Sequence, residues 1–236
     1  MTQKNVIVTG AARGLGLAIC QQLADANYKV IGVGRRNSDA FEKINNADFH
    51  QYDLNNIDGI PDLVNDISRQ YGQIYALVNN AGIGNDGVLS TMHASDINAV
   101  LRVNLEAPIF LTKYVSRKML KHRDGCIVNV SSIIASTGFN GLSVYAASKA
   151  GLEGFTRSLS REVGKIGIRV NCLAPGYMET DMTASLTGSK LESVRRRAPL
   201  GLPTTNQAAG AVIFLLSSSA TGITGQVITV DGGATA

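Results

Sequence analysis

Short runs of apolar, largely β-branched residues alternate along this chain with longer stretches whose apolar positions recur every three or four residues. The runs are Asn5 to Thr9, Lys29 to Gly34, Phe49 to Tyr52, Ile74 to Val78, Cys126 to Val130, Ile168 to Cys172 and Gly225 to Val230. Between them lie helical patterns. Ile19, Leu23 and Ala26 share one side of the first, and Leu63, Val64 and Ile67 mark the inner face of Ile60 to Tyr71. A long helix is predicted from Ser95 to about Arg123, another from Tyr145 to Val163, a short one before Arg197, and an apolar one from Ala208 to Leu216. Runs of this kind read as strands buried on both faces, and their alternation with helices implies one parallel sheet covered on both sides. No linker, internal repeat or low-complexity tract divides the pattern, so a single domain over residues 1–236 is expected.

The first strand gives way at once to Gly10-x-x-x-Gly14-x-Gly16, which opens a helical pattern. A glycine turn between strand and helix brings backbone N–H groups to a pyrophosphate at a helix N-terminus. With it the fold class becomes a Rossmann-type, doubly wound α/β sheet. About 1–125 then forms the dinucleotide-binding half, and about 126–236 the catalytic and lid half. Arg35 and Arg36 end the second strand, where an NAD site would place an acid on the ribose 2′-hydroxyl. With Arg13 in the turn, these guanidiniums suit a 2′-phosphate, which favours NADP(H) and Arg35 as its reader; Arg36 facing solvent is the plainer alternative. Asp53, next to Leu54, can accept a bond from an adenine amino group or cap the following segment. Asn80, Ala81 and Gly82 follow the fourth strand, where Asn79 and Asn80 can satisfy neighbouring backbone and Gly82 leaves room for a ribose.

Candidate chemistry centres on Ser132, Tyr145 and Lys149. Tyr145 and Lys149 are spaced i, i+4 and share one helix face, and Ser132 falls where the fifth strand leaves the sheet. A hydroxyl, a phenol and an ammonium can converge there on one carbonyl oxygen. The phenol's pKa of about 10 would have to fall by roughly three units for phenolate chemistry near pH 7, and a lysine cation beside it favours that. Asn104 lies among apolar helix positions and must be hydrogen-bonded, to a neighbouring turn or to a water leading protons to Lys149. After Pro175-Gly176, the polar stretch from Tyr177 to about Arg197, with Thr180, Asp181 and Thr183, reads as a lid. Its Arg195-Arg196-Arg197 triplet could meet an acidic partner or a phosphate, or stand as solvated helix surface.

Composition narrows the classes. The chain carries 22 Lys and Arg against 18 Asp and Glu, spread along its length, so nucleic acid is not the expected partner. Cys20, Cys126 and Cys172 are far apart, as buried free thiols of a reducing compartment would be. The three histidines have no metal-ligand spacing, and no apolar run approaches a membrane span. Met1 to Lys4 runs into the first strand without a signal sequence. A cytoplasmic protein is the expectation.

Taken in order and at their spacing, these motifs resemble the short-chain dehydrogenase/reductase family, and within it the 3-oxoacyl-(acyl-carrier-protein) reductases. The resemblance rests on Thr9-Gly10-x-x-x-Gly14-x-Gly16, Asn79-Asn80-Ala81-Gly82, Asn104, Ser132, Tyr145-x-x-x-Lys149, Pro175-Gly176 with Thr180, and Val230-Asp231-Gly232-Gly233. It implies that Tyr145 protonates a substrate carbonyl as hydride arrives from a nicotinamide, and that Ser132 fixes the same oxygen. It further implies that Lys149 lowers the Tyr145 pKa and holds a ribose, while Asn104 supports a proton relay. Gly10, Arg13, Gly14, Leu15, Gly16 and Arg35 would line the phosphates, Asp53 and Leu54 the adenine, and Asn80, Ala81 and Gly82 the adjoining ribose. Thr180 and the backbone near Met178 would hold the carboxamide, with Pro175 and Gly176 also in the cofactor site. An acidic acyl carrier protein as partner, a seven-stranded sheet and a homotetramer follow from the same resemblance.

The chain departs from the family pattern in three places. The segment from Arg36 to Asp53 is short, so its helix is expected to be reduced or absent. Gly201 to Gln207 lacks the usual Arg and the Glu that opens the next helix, and Ile166 stands where a basic residue often precedes Gly167. Lys113, Arg117 and Lys121, with Lys118 and Arg123 beside them, offer a basic helix face for a carrier protein near the site entrance, Arg123 falling where the family places a docking arginine. An ordinary solvated face is the alternative. Rival functions are reduction of a sugar, cyclic ketone or quinone, oxidation of a secondary alcohol, and non-catalytic sensing of a dinucleotide.

Overall fold

The computed structural model describes residues 3–180 and 188–236; Asp181 and Thr183 lie outside the described residues. Seven strands are β1 (Asn5–Thr9), β2 (Lys29–Gly34), β3 (Ala47–Gln51), β4 (Ile74–Asn79), β5 (Gly125–Val130), β6 (Ile168–Pro175) and β7 (Val227–Val230). They form one parallel sheet in the order β3-β2-β1-β4-β5-β6-β7. The order reverses between β1 and β4, and ligands of such sheets bind in the crevice that this switch opens at the strands' carboxyl ends.

Helices α1 (Gly14–Asp25), α2 (Asp39–Glu42) and α9 (Thr205–Leu216) cover one face, burying Leu15, Ile19, Leu23, Phe41 and Val212. Helices α3 (Ile60–Tyr71), α5 (Ala107–Leu120) and α7 (Ser143–Val163) cover the other, with Val64, Ile67, Leu111, Val115 and Leu159 inward. Shorter α-helices among the described residues are α4 (Ala94–Leu101), α6 (Ile134–Thr137) and α8 (Gly188–Arg196). The shortened segment before Asp53 keeps one four-residue helix, α2, capped by the Ser38 hydroxyl.

Several expectations change. Ala26 is exposed at the end of α1 rather than on its inner side. The last strand starts at Val227, because Gly225 adopts φ +73°, outside the strand region, and donates its N–H to Val170 O at 2.7 Å. The helix read as continuous from Ser95 to about Arg123 is interrupted: Arg102–Glu106 forms a π-turn, with Ala107 N–H reaching Arg102 O five residues back. Pro108 stands four residues beyond Asn104 and has no N–H for its carbonyl, which is a sufficient reason for the α ladder to break there. The missing Glu before α9 is made good locally: Thr204 caps Gln207 N–H, and the Gln207 side chain accepts the Thr204 N–H in return.

Candidate active site

The switch point is built first from backbone. The Thr9 hydroxyl accepts the N–H groups of Asn80 and Ala81, each at 3.0 Å, and Asn80 Nδ2 donates back to Thr9 O at 2.9 Å. The turns after β1 and β4 are thereby locked together. Gly16 is forced: a Cβ there would stand 2.1 Å from Gly10 O and 2.6 Å from Asn80 Nδ2. Gly10, at φ +66°, has Ala81 Cα 3.0 Å from where its Cβ would be. At Gly14 the nearest group is the Thr180 side chain, 3.8 Å from a would-be Cβ, so the segment after β6 reaches over the glycine turn. A Cβ at Gly82 would stand 3.4 Å from both Asn104 Oδ1 and Lys149 Nζ. A bare-backbone cradle of this kind, opening toward a buried ammonium, fits a dinucleotide.

Around it, Arg13, Arg35 and Arg36 are exposed near the ends of β1 and β2. Ser38 Oγ donates to Ala12 O at 2.7 Å and joins the two turns. Asp53 caps: its Oδ1 accepts both the backbone N–H and the side-chain amide of Asn55 at 3.0 Å, which is one of its two expected uses. Leu15 and Leu54 are buried in the core, so what they offer a ligand is backbone.

Ser132, Tyr145, Lys149 and Asn104 come together past the carboxyl ends of β4 and β5. The Ser132 hydroxyl lies close enough to the Tyr145 phenol to lower its pKa, and Ser132 Oγ accepts Ile134 N–H at 3.3 Å. Lys149 is 3% exposed and donates to Val130 O at 2.8 Å, with its Nζ 5.6 Å from the Tyr145 ring centre. Asn104 is fully buried. Its Oδ1 accepts Ile83 N–H at 2.8 Å, and its Nδ2 donates to Ile83 O at 2.9 Å and to Ser148 Oγ at 3.3 Å. The amide therefore clamps the loop that follows Gly82, which neither sequence alternative included, while its bond to Ser148 of α7 is the expected one to a neighbouring helix turn. Below, Ser131 Oγ bonds Glu153 at 2.9 Å, and Asn79, Thr112, Asn129 and Thr156 form a chain of bonds of 2.8–2.9 Å.

The electrostatics run against one expectation. Burial raises the Tyr145 pKa above its usual value of 10; the Ser132 hydroxyl lowers it in part, and the negative charge of Asp86 adds to the rise. Burial pushes Lys149 down to about 8. The predicted lowering of Tyr145 by Lys149 is not what the protein groups produce, because desolvation dominates both and the ammonium is bonded to Val130 O. The phenol is held as a neutral acid, the form in which it can donate a proton.

Ser132 and Tyr145 face a cavity of about 740 Å³, roofed by the segment after β6 and by α8. Pro175, Gly176, Met178 and Thr180 line it, with Asp86, Phe139, Leu142 and Arg197. Gly176 packs against Asp231, leaving no room for a Cβ (2.7 Å), and the Asp231 carboxylate accepts Gly233 N–H, Thr235 N–H and the Thr235 hydroxyl. The sequence reading missed Asp86, Ser148 and Ile83. Ser148 was open to inference, since it sits between two candidate residues in a helix that needed a partner for Asn104. The basic helix face is misplaced: α5 ends before β5 begins, so Arg117, Lys121 and Arg123 stand at the amino ends of the strands, opposite Ser132. Lys118 is bonded to Asn65 at 2.8 Å.

Comparison with known proteins agrees with this geometry. Residues 4–190 match the family model described as short chain dehydrogenase. The 3-oxoacyl-[acyl-carrier-protein] reductase FabG of Escherichia coli (strain K12) is 39% identical over 98% of this chain and 96% of its own. The protein of the same name from Chlamydia muridarum is 38% identical over 99% and 98%. Among solved structures, one from Beutenbergia cavernae, assigned as an NAD(P)-dependent gluconate 5-dehydrogenase and holding NADP at low occupancy, superposes with a TM-score of 0.94. It is 32% identical, over 99% of this chain and 97% of that one.

Proposed function

Because the chain belongs to the short-chain dehydrogenase family, we propose that its cavity carries out NADPH-dependent reduction of a 3-oxoacyl thioester, linked to an acyl carrier protein, to the 3-hydroxyacyl thioester. The observation that carries this reading is the Ser132 and Tyr145 hydroxyls side by side on one largely apolar cavity, beside a glycine cradle. The near full-length similarity to FabG reductases supports the choice of substrate.

Bound NADPH supplies the hydride. Gly10, Gly14 and Gly16 offer backbone to its phosphates, Arg13 and Arg35 their guanidiniums to the charged groups of the adenosine end, and Asp53 a carboxylate oxygen to the adenine. Leu15, Leu54, Asn80 and Ala81 contribute main chain along the same path. Lys149 and Gly82 would flank the nicotinamide ribose, and Pro175, Gly176, Met178 and Thr180 would hold the carboxamide end. Ser132 donates to the substrate carbonyl oxygen and Tyr145, kept neutral by burial, delivers the proton. Lys149, cationic near pH 7, favours the phenolate left behind. Asn104 holds the Ile83 loop and thereby the wall behind Lys149. In this reading residues 1–125 hold the dinucleotide and 126–236 the chemistry and the lid. The protein acts as a cytoplasmic homotetramer; exposed Leu200 and Phe214 support burial in self-assembly. Among the described residues no helix is long and apolar enough to cross a membrane.

The test is NADPH oxidation with an acetoacetyl thioester, free and on a carrier protein, beside small ketones and NADH. Turnover of the thioester, lost by 10²–10⁴-fold in Tyr145→Phe while NADPH still binds, is expected. Turnover of ketones or sugar acids alone would move the protein to the second reading, a reductase of another small carbonyl, which the likeness to the Beutenbergia structure favours.

A further inference from the structure

The cavity has a charge pattern that the reaction does not use. Its described walls are mostly apolar, among them Ile133, Ile134, Phe139, Leu142, Val194 and Leu202. Arg197 is the one cation among the described lining residues. Its two neighbours differ from it: Arg195 is bonded to Glu179 at 2.6 Å, and Arg196 does not line the cavity. Among the described residues the Arg197 side chain makes no hydrogen bond or ion pair. It is exposed at the rim, where water solvates it until something else does.

At the reacting end the field has the opposite sign. Asp86 lines the same cavity, on a loop tied to the segment before α7 by Gly87 N–H to Gly141 O at 2.9 Å. Its charge reaches Tyr145. The other lining carboxylate, Asp231, is turned to its own Gly233 and Thr235. An anion beside the reacting carbonyl would meet repulsion from Asp86, whereas one beside Arg197, which is not among the charges that reach Tyr145, would meet a guanidinium whose planar fork matches an oxyanion.

We propose that Arg197 is the anion-binding residue of this cavity, holding an oxyanion on the substrate at the end remote from the carbonyl. This deepens the thioester reading and rests on it. Two sources supply such a group: the phosphate of a phosphopantetheine arm, and a carboxylate terminating the acyl chain.

Substrate pairs differing only in that anion test it. One pair is the acetoacetyl thioesters of 4′-phosphopantetheine and pantetheine. A second is the N-acetylcysteamine thioesters of 3-oxooctanedioate and 3-oxooctanoate. A third, off the thioester scaffold, is 7-oxooctanoate and its methyl ester. The wild type should prefer the anionic member of one pair by about tenfold in kcat/KM, chiefly through KM, and the pair that responds identifies the source. Arg197→Met should bring that ratio to within about twofold of unity, and Arg196→Met should leave it as in the wild type. A wild-type ratio near one in every pair, or a preference that survives Arg197→Met, overturns the assignment. If no thioester is reduced, the acyl reading fails, and the keto acid and its ester still decide the role of Arg197.

Discussion

The floor and the roof of this cavity are held in opposite ways. On the floor, Asn104 and Lys149 are buried, and their polar atoms are bonded at 2.8–3.3 Å to backbone or to Ser148. On the roof, one bond between described residues that ties α8 to the segment after β6 is the ion pair Arg195–Glu179, with both side chains more than half exposed. A buried, satisfied network is expensive to disturb and has one geometry; an exposed ion pair contributes about 0–1 kcal/mol and exchanges readily with water. The floor therefore fixes which reaction occurs, and the roof can change with the substrate without unsettling the fold.

Disturbing the floor should have the largest effects. Gly16→Ala puts a methyl 2.1 Å from the Gly10 carbonyl, where no flexible side chain can yield. We expect a loss of about 3 kcal/mol in stability, the upper range for overpacking, and at least a hundredfold weaker NADPH binding. Urea denaturation and fluorescence titration read the two. Normal binding would mean that the turn is as adaptable as the roof. Next comes Asn104→Leu, which fills the space but leaves Ile83 N–H and O without their partner. About 2–3 kcal/mol should be lost, with a fall in kcat as the wall behind Lys149 loosens. Asn104→Asp, which keeps the acceptor for Ile83 N–H, should retain more of both than Leu does.

The same contrast explains what was legible from sequence. Strands buried on both faces appear as apolar runs, so β1, β2 and β5 were bounded to within a residue. The glycine turn and Tyr145–Lys149 were legible because their spacing has few other uses in that context. The π-turn was not, since a buried Asn four residues before a proline looks like ordinary helix until the ladder is counted. Titration of Tyr145 was misjudged because Lys149 was treated as a neighbouring charge alone, whereas burial acts on both groups. The basic face was placed at the wrong end of the sheet. A helix following a strand in a parallel sheet runs back toward the strands' amino ends, and that rule, applied to Lys113 through Arg123, would have placed it correctly.

Lys149 gives a smaller, pH-dependent test of the floor. Its pKa in the folded chain is about 8, against 10.5 for an ordinary lysine. Between those values the unfolded chain binds more protons, so stability rises with pH there; below pH 8 the cost of the buried cation is present in full, and above 10.5 it is gone. Buried Cys20, Cys126 and Cys172, all pushed upward by burial, act in the opposite direction above pH 9. Comparing wild type with Lys149→Met cancels the contribution of Cys20 and Cys126, and staying below pH 9 keeps out Cys172, whose thiol feels the Lys149 charge. The wild type should gain on the variant by about 1 kcal/mol between pH 8 and 9. A difference that does not change with pH would mean that the ammonium is solvated, and that the floor is less closed than its hydrogen bonds imply.

The smallest effect on stability belongs to the roof, and there the comparison is sharpest. Arg195→Met removes the Glu179 partner from a pair that is already in water, so the urea midpoint should move by less than about 0.5 kcal/mol equivalent. Function should respond more than stability does. Glu179 adjoins Thr180, whose side chain lies over the glycine turn, and α8 carries Val194 and Arg197 to the cavity. Releasing α8 from that segment should raise KM for carbonyl substrate several-fold while kcat, set by the Ser132–Tyr145 pair below, changes little. Equal losses in kcat and kcat/KM would place Arg195 in the same rigid unit as the floor. A change in KM alone would establish that the roof closes over the substrate as a separately adjustable part.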